Sequence, residues 1–293
     1  MTLLVTGGAG QLASSLAAHA PGEVTRVGRP SFDFDRPATI ADTFWSVQPS
    51  LVINAAAWTG VDAAETNVDA AMRANRDGPA TLAALCRDAR IPLIQVSTDY
   101  VFDGSKGTPY DEADATNPTG VYGASKLAGE RAALETWDRT VVLRTSWVYA
   151  AVGKNFVRTI LNAAQKTDIL RVVGDQKGCP TMAEDLADAI LAIASRLRTE
   201  WQPGFSGVFH AAGEGWTTWH GLATAALEDA ARHGRYVPTV QAIATADWPT
   251  PARRPADSRL DCTKLADVFG VRMPAWRPSL ARTVDALLDP AGA

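Results

Sequence analysis

Tyr122 and Lys126 are the pair of side chains in this sequence that most clearly suggests chemistry, because they stand four residues apart. If the segment is helical, both side chains lie on one face, one turn apart. An ammonium beside a phenol favours the phenolate and lowers the tyrosine pKa from its usual value of about 10. We therefore expect Tyr122 to donate a proton to a developing alkoxide, although such pairs also occur by chance in helices.

Thr98 is the third candidate for catalysis. The apolar run over residues 91–96 predicts a buried strand, and Thr98 follows at its end. Ligands of open α/β sheets bind beyond the carboxyl ends of the strands. We expect the Thr98 hydroxyl to point into that crevice and to act together with Tyr122 and Lys126.

A glycine-rich turn at the start of the chain predicts a cofactor for these residues. A strand is predicted over residues 2–6 and a helix over 14–20, with Gly-Gly-Ala-Gly-Gln-Leu-Ala between them. Glycines let the backbone turn sharply and let a pyrophosphate approach the helix N-terminus, where free N–H groups attract anions. A tight turn without a ligand is the alternative. The residues that we expect to bind a dinucleotide here are Gly7, Gly10, Gln11 and Leu12.

The segment after the second predicted strand, residues 23–27, indicates which dinucleotide is bound. An NAD-preferring fold commonly places an acid there, against the adenosine ribose, whereas this chain has Arg29. A cation can bind a 2′-phosphate, so NADPH is favoured and NADH is the alternative; an ordinary surface arginine gives the same pattern. Asp33 and Phe34 follow, and we expect them to contact the edge of the adenine ring.

Ala55, Ala56 and Ala57 end the apolar segment that starts at residue 51 and predicts a further strand. Small side chains let the backbone approach a flat cofactor, and they equally allow tight packing of a strand against a helix. We expect these alanines, Tyr122 and Lys126 to contact the cofactor.

Strand and helix signals alternate through residues 1–150, which predicts an α/β fold with a doubly wound parallel sheet of the Rossmann type. Beyond residue 150 the alternation is lost. We expect residues 151–293 to form mainly a second, smaller substrate-binding lobe over the crevice. Helices and a strand at roughly 165–198 are expected to rejoin the first domain, so that the two parts are interleaved.

Composition excludes several classes of protein. The chain has 293 residues, 46% hydrophobic and 20% charged, as is ordinary for a globular protein. A net charge of −4 gives no sign of a nucleic-acid partner. Three separated cysteines without a Cys/His cluster predict no metal ligands and a reducing compartment. No signal-peptide pattern or bilayer-length apolar run is present, so we expect a cytoplasmic protein without a membrane partner.

Taken together, the chain resembles the extended short-chain dehydrogenase/reductase family, and within it the reductases of dTDP-linked keto sugars. The resemblance extends over nearly the whole chain and is carried by residues 7–12, 52–58, 97–104, 122–130, 143–149 and 250–260. It implies reduction of the C4 ketone of dTDP-4-dehydro-6-deoxy-L-mannose by NADPH or NADH, with dTDP-L-rhamnose as the product.

The resemblance also implies a role for each residue. The nicotinamide delivers hydride to C4, Tyr122 protonates the oxyanion, and Lys126 binds the nicotinamide ribose. Thr98 is expected to hydrogen-bond the sugar oxygen, and Asp99 a sugar hydroxyl. The remaining substrate-binding candidates are Trp147, Asn155 and Arg254. For Trp147, the alternative is a tryptophan that belongs to the hydrophobic core. For Arg254, the alternative is an arginine on the solvated surface.

Other activities of the same family stay open at this stage. Dehydratases carry a glutamate where this chain has Tyr100, which argues for simple reduction. The alternatives are a sugar-nucleotide epimerase and a non-catalytic NADP-binding regulatory subunit of the methionine adenosyltransferase type. Some members form a magnesium-bridged dimer; Glu184 matches one of the acidic residues involved, but Ser15 stands in place of another. We therefore leave Mg²⁺, and the choice between monomer and homodimer, open.

Overall fold

A six-stranded parallel sheet is the centre of the protein, whose computed structural model describes residues 2–289. In chain order the strands are β1 (Leu3–Thr6), β2 (Val24–Val27), β3 (Leu51–Asn54), β4 (Leu93–Thr98), β5 (Thr140–Thr145), β6 (Val148–Tyr149), β7 (Ile169–Val173), β8 (Lys177–Gly178), β9 (Thr181–Met182), β10 (Gly207–His210), β11 (Thr217–Thr218) and β12 (Thr239–Ile243). The α-helices are α1 (Gln11–His19), α2 (Pro37–Val47), α3 (Val61–Ala64), α4 (Val68–Met72), α5 (Gly78–Ala89), α6 (Val121–Thr136), α7 (Phe156–Ala164), α8 (Ala183–Thr199), α9 (Trp219–Arg232), α10 (Thr263–Phe269) and α11 (Trp276–Leu288).

The strand order in the main sheet is β10-β5-β4-β3-β1-β2, and every neighbouring pair is parallel. The apolar sequences of β1 and β3 are buried at every position. Continuous burial of this kind is typical of a parallel sheet that helices cover on both faces. The predicted doubly wound Rossmann sheet is therefore confirmed.

Each face of the sheet has its own hydrophobic core. Leu3 and Val5 of β1 point to the face covered by α1 and α8, whereas Leu4 points to the face covered by α2 and α5. This division follows from the alternation of side chains along a strand. The helices cover the two faces of the sheet, and the carboxyl ends of its strands stay accessible.

Residues beyond position 150 contribute to this first unit. Helix α8 packs in the same core as α1, and β10 extends the main sheet beside β5. The strand that we expected to rejoin the sheet, β7, pairs instead with β12 in a separate two-stranded sheet. Ile169 and Arg171 of this strand are exposed and only Val172 is buried, so it lacks the two-sided burial of a central strand. The exact domain division stays a prediction.

A second core lies in the smaller lobe. There α7, α9 and α11 pack together through residues such as Val157, Leu222 and Leu280. Tyr149 and Met182, from the short β6 and β9, close this core from the side of the main sheet. Across the described residues, the helices are all too short or too polar to cross a bilayer.

Candidate active site

A cavity of about 1000 Å³ lies at the carboxyl ends of the strands, and residues of both the main sheet and the smaller lobe line it. Its position is the one that open α/β sheets use for ligands. Most of the residues that the sequence singled out meet here. They are Gly7, Gly10, Gln11, Leu12, Arg29, Phe34, Ala55, Ala56, Ala57, Thr98, Asp99, Tyr122, Lys126 and Trp147. Three others do not line the cavity: Asp33, Asn155 and Arg254.

The turn after β1 forms a cradle of bare backbone. Gly7 has φ +110°, and a Cβ there would come within 3.1 Å of the Ala55 carbonyl oxygen. A Cβ on Gly28 would lie 2.6 Å from the Gly8 Cα, so the turns after β1 and β2 touch through backbone alone. Helix α1 then begins without a side-chain cap. Uncapped N–H groups behind a glycine turn suit the pyrophosphate of a dinucleotide.

Tyr122 lies in the first turn of α6, partly exposed to the cavity. The helix comes close to the end of β4 because Gly123 has no side chain: a Cβ there would be 2.1 Å from the Tyr100 carbonyl oxygen. Burial raises the pKa of Tyr122 to about 12, and a hydrogen bond with Thr98 offsets part of that rise. The expectation that the pKa of this phenol lies below its usual value is thus wrong for the free protein, because desolvation dominates.

Lys126 is buried one turn further along α6. Its ammonium donates a hydrogen bond of 2.7 Å to the Val96 carbonyl oxygen. Burial lowers the pKa of Lys126 to about 8, against the opposing influence of Glu130. The Glu130 carboxylate is itself held by Arg144 at 2.7 Å and by Ser97 at 2.5 Å. Lys126 therefore stands in a fixed position at the cavity wall.

Asp99 follows Thr98 and is only 1% exposed. Its Oδ1 accepts a hydrogen bond of 3.1 Å from the Thr98 hydroxyl, and its Oδ2 accepts one of 2.6 Å from the Ser258 hydroxyl. Burial raises the pKa of Asp99 to about 6. Both carboxylate oxygens are thus engaged inside the protein, and the expected contact of Asp99 with a sugar hydroxyl stays a prediction.

Arg29 lies exposed at another part of the cavity, beside the turn after β2. Its guanidinium contacts Asp33 at 2.9 Å and Asp35 at 2.8 Å. These contacts explain why Asp33 turns away from the cavity wall, while the Phe34 ring reaches it and covers Gly78. Exposed ion pairs of this kind contribute little energy, so the guanidinium can exchange them for a phosphate.

A stacked pair of tryptophans forms the wall on the side of the smaller lobe. The rings of Trp147 and Trp219 lie 3.5 Å apart at an angle of 8°. Trp147 has φ +48°, and its ring fits against Gly178, where a Cβ would be 2.4 Å from it. No local pattern in the sequence points to Trp219, which is one residue in a predicted helix. Further lining residues that sequence reasoning missed are Thr145, Ser146, Lys154 and Leu186.

Asn155 and Arg254 support the walls. The Asn155 amide donates to the Gln11 side chain at 3.0 Å, and its oxygen caps α7 by accepting from the Arg158 N–H at 3.0 Å. Arg254 pairs with Asp62 at 2.8 Å. Asn155 thereby joins the smaller lobe to the glycine turn.

A metal centre is not formed by the chain between residues 2 and 289, where no three His, Cys, Asp or Glu side chains converge. Ser15 donates to the Gln11 carbonyl oxygen within its own helix. Whether Mg²⁺ bridges a homodimer therefore stays open, as in the sequence analysis.

The parallel sheet, the glycine turn and the Tyr-Lys pair define a Rossmann fold of the extended short-chain dehydrogenase/reductase type. A family profile described as the RmlD substrate binding domain matches residues 1–288. A dTDP-4-dehydrorhamnose reductase of Sinorhizobium fredii is 44% identical over 98% of this chain and 98% of that protein. The chain belongs to the family that is described by the RmlD substrate binding domain profile.

Solved structures agree with the sequence comparison. A dTDP-4-dehydrorhamnose reductase from Clostridium acetobutylicum is similar with a TM-score of 0.91 and 33% identity, covering 98% of this chain and 99% of that one. A dTDP-4-dehydrorhamnose reductase from Bacillus anthracis, solved in complex with NADP, has a TM-score of 0.89 and 29% identity over 97% of this chain and 99% of that one.

Proposed function

We propose that this protein is an NADPH-dependent oxidoreductase that reduces the C4 ketone of dTDP-4-dehydro-6-deoxy-L-mannose to dTDP-L-rhamnose. The observation that carries the proposal is that Thr98, Tyr122 and Lys126 line the same cavity as the glycine turn. The relative from Sinorhizobium fredii is named for a reductase of this kind, and the structure from Bacillus anthracis holds NADP. A non-catalytic NADP-binding subunit would not need a proton donor placed beside its cofactor site.

The glycine turn would hold the pyrophosphate against the N-terminus of α1, and Lys126 would hold the nicotinamide ribose. NADPH, when bound, supplies the hydride. Tyr122 then gives its proton to the oxygen of the reduced carbonyl, and Thr98 orients that oxygen by a hydrogen bond. A pKa of about 12 keeps the phenol protonated at neutral pH, so the donor is loaded before the alkoxide forms. An alkoxide is a stronger base than a phenolate, which makes the transfer favourable.

We further propose that NADPH is preferred over NADH. Arg29 lines the cavity at the end of β2, where the adenosine ribose of a Rossmann cofactor lies, whereas Asp33 and Asp35 do not line it. A guanidinium can bind a 2′-phosphate with two parallel hydrogen bonds. The proposal includes a cytoplasmic location and does not require Mg²⁺ or a particular oligomeric state.

The test is to mix the purified protein with NADPH and dTDP-4-dehydro-6-deoxy-L-mannose and to follow the loss of NADPH absorbance. Stoichiometric oxidation with formation of dTDP-L-rhamnose supports the proposal. Binding of NADPH without consumption would identify a regulatory subunit instead. Tightly retained NAD with no net oxidation, and interconversion of sugar epimers, would identify an epimerase.

A further inference from the structure

Lys154 is a cation at the wall of the main cavity that has no role in the proposed function so far. Within residues 2–289, the Lys and Arg side chains that line this cavity are Arg29, Lys126 and Lys154. The lining carboxylate in the same part of the chain is Asp99, which is buried. Lys154 is exposed. It is therefore available to an anionic ligand that enters the cavity.

A short loop brings Lys154 from the smaller lobe to the glycine turn. On one side of it, Gly153 has φ +74°, and a Cβ there would lie 3.2 Å from the Gln11 Cγ. On the other side, the Asn155 amide donates to the Gln11 side-chain oxygen at 3.0 Å. Gln11 is the first residue of α1. Because both neighbours of Lys154 contact Gln11, the backbone of Lys154 lies beside the N-terminus of that helix.

The loop is held in place by hydrogen bonds at the start of α7. The Asn155 amide also donates to the Ala150 carbonyl oxygen at 2.8 Å, and the Asn155 side-chain oxygen accepts from the Arg158 N–H at 3.0 Å. The Arg158 guanidinium donates to the Ala151 carbonyl oxygen. These contacts fix the backbone on both sides of Lys154, so its ammonium reaches the cavity from a defined point.

The outer side of the loop offers Lys154 no counter-charge. A second cavity of about 630 Å³, the outer groove, is lined by Lys154 together with Arg158 and Lys166, and no Asp or Glu of residues 2–289 lines it. Like charges repel each other there. None of the ion pairs formed between residues 2 and 289 includes Lys154. An anion in the main cavity would supply the partner that the protein itself does not provide.

The glycine turn lacks a cation of its own. Residues 7–13 supply backbone N–H groups but no Lys or Arg side chain, whereas a pyrophosphate carries negative charge on both phosphates. We propose that Lys154 binds the pyrophosphate of the dinucleotide, so that the smaller lobe supplies the cation of this site. A lysine ammonium serves phosphates as a point charge. This inference rests on the dinucleotide site of the proposed function. The diphosphate of the sugar nucleotide has the same chemistry, but the contacts with Gln11 favour the cofactor.

The experiment compares Lys154→Met, Lys154→Arg and Lys166→Met with the unaltered protein, using fluorescence titration with NADPH and with NADH in the absence of sugar. Lys154→Met is expected to raise both Kd values by the same factor, roughly 3- to 10-fold, because both cofactors contain the pyrophosphate. Lys154→Arg keeps the charge and stays near the unaltered values. Lys166→Met is the control, since this exposed lysine lines the outer groove but not the main cavity. Its Kd values stay unchanged.

Salt provides a second measure of the same contact. Raising the ionic strength to about 1 M shortens the screening length to about 3 Å, so the difference between Lys154→Met and the unaltered protein should shrink. A difference that does not depend on salt would mean that the substitution acts through packing, and it overturns the proposal.

Other outcomes that overturn the proposal assign Lys154 to a different ligand or to none. A loss of affinity for NADPH alone would place Lys154 at the 2′-phosphate. A raised Kd for dTDP, measured by calorimetry without cofactor, together with an unaltered Kd for NADPH would place it at the sugar nucleotide. Unaltered Kd values throughout, or an equal loss in Lys166→Met, would leave it an ordinary surface lysine.

These binding measurements do not depend on turnover. If the unaltered protein binds NADPH but does not oxidise it with the dTDP-linked keto sugar, the proposed reduction fails, and the Kd values of Lys154→Met still decide the present inference. If the unaltered protein binds neither cofactor, both proposals are rejected.

Discussion

The two ends of the cavity are built in different ways. At the cofactor end the wall is backbone, because Gly7, Gly10 and Gly28 have no side chains to cover their peptide planes. At the other end the wall is side chain, with Trp147 stacked on Trp219. The first end comes from turns that directly follow β1 and β2, whereas the second requires a loop after β5 and a helix of the smaller lobe. A site made of local backbone can be recognised in a sequence, but one made of distant side chains cannot.

We expect substitutions at the two ends of the cavity to alter different constants. Changes at the glycine end should alter cofactor affinity, and changes at the tryptophan pair should alter the KM for the sugar. Thr98, Tyr122 and Asp99 come from the end of β4 and the start of α6, and they should alter kcat or the ionisation of the site.

The largest effect is expected for Tyr122→Phe. Loss of the general acid should lower kcat by roughly 100-fold or more, with the Kd for NADPH unchanged. Steady-state kinetics and NADPH fluorescence titration measure the two quantities. Tyr110→Phe is the control, because that phenol contacts Asp103 at 3.0 Å and does not line the cavity. A variant with normal kcat would remove Tyr122 from the mechanism.

The next effect concerns the free energy of unfolding and its dependence on pH. Burial raises the pKa of Asp99 from 3.8 to about 6, so the folded protein binds this proton more tightly than the unfolded chain. The resulting stabilisation is fully present below pH 3.8 and is lost as the pH rises through about 6. In the unaltered protein, the free energy of unfolding should therefore fall by on the order of 2 kcal/mol as the pH rises through this range. In Asp99→Asn this fall should be absent. Denaturant titrations between pH 4 and 7 measure it; an identical slope in the variant would contradict the assignment.

Trp219→Ala tests the tryptophan end. Without its stacking partner Trp147 should lose its fixed orientation, and the KM for the sugar should rise roughly 10-fold. The Kd for NADPH should stay the same, as the comparison between the two ends requires. Trp45, which is 50% exposed and lies outside the cavity, provides the control substitution to alanine. A change in NADPH affinity instead of KM would show that the tryptophan pair does not act separately from the glycine turn.

Arg29→Ala should have the smallest effect, because the guanidinium is exposed and screened by water. We expect the preference for NADPH over NADH to fall roughly 3- to 10-fold, since a phosphate would lose a charged donor. The ratio of kcat/KM for the two cofactors measures it. Arg73→Ala, which removes another partner of Asp35 from outside the cavity, should leave the ratio unchanged. An unchanged ratio in Arg29→Ala would make Arg29 an ordinary surface residue.

Tyr122 and Lys126 show how far local patterns reach. The helix, the shared cavity and the fold follow from spacing and from the alternation of strands and helices. The ionisation of Tyr122 does not, because its pKa depends on how much protein covers the phenol. The same limit applies to Asn155, a plausible phosphate ligand by residue type that instead joins the Gln11 side chain to α7.

The parallel sheet, the glycine turn and the side chains proposed to react could all be predicted from the sequence, because each is marked by periodicity or spacing over a few residues. Three features became visible only in the folded protein: Trp219 faces Trp147, Ser258 donates a hydrogen bond to Asp99, and β7 stays outside the main sheet. Those outcomes depend on the packing of segments far apart in the chain, and such packing leaves no local pattern.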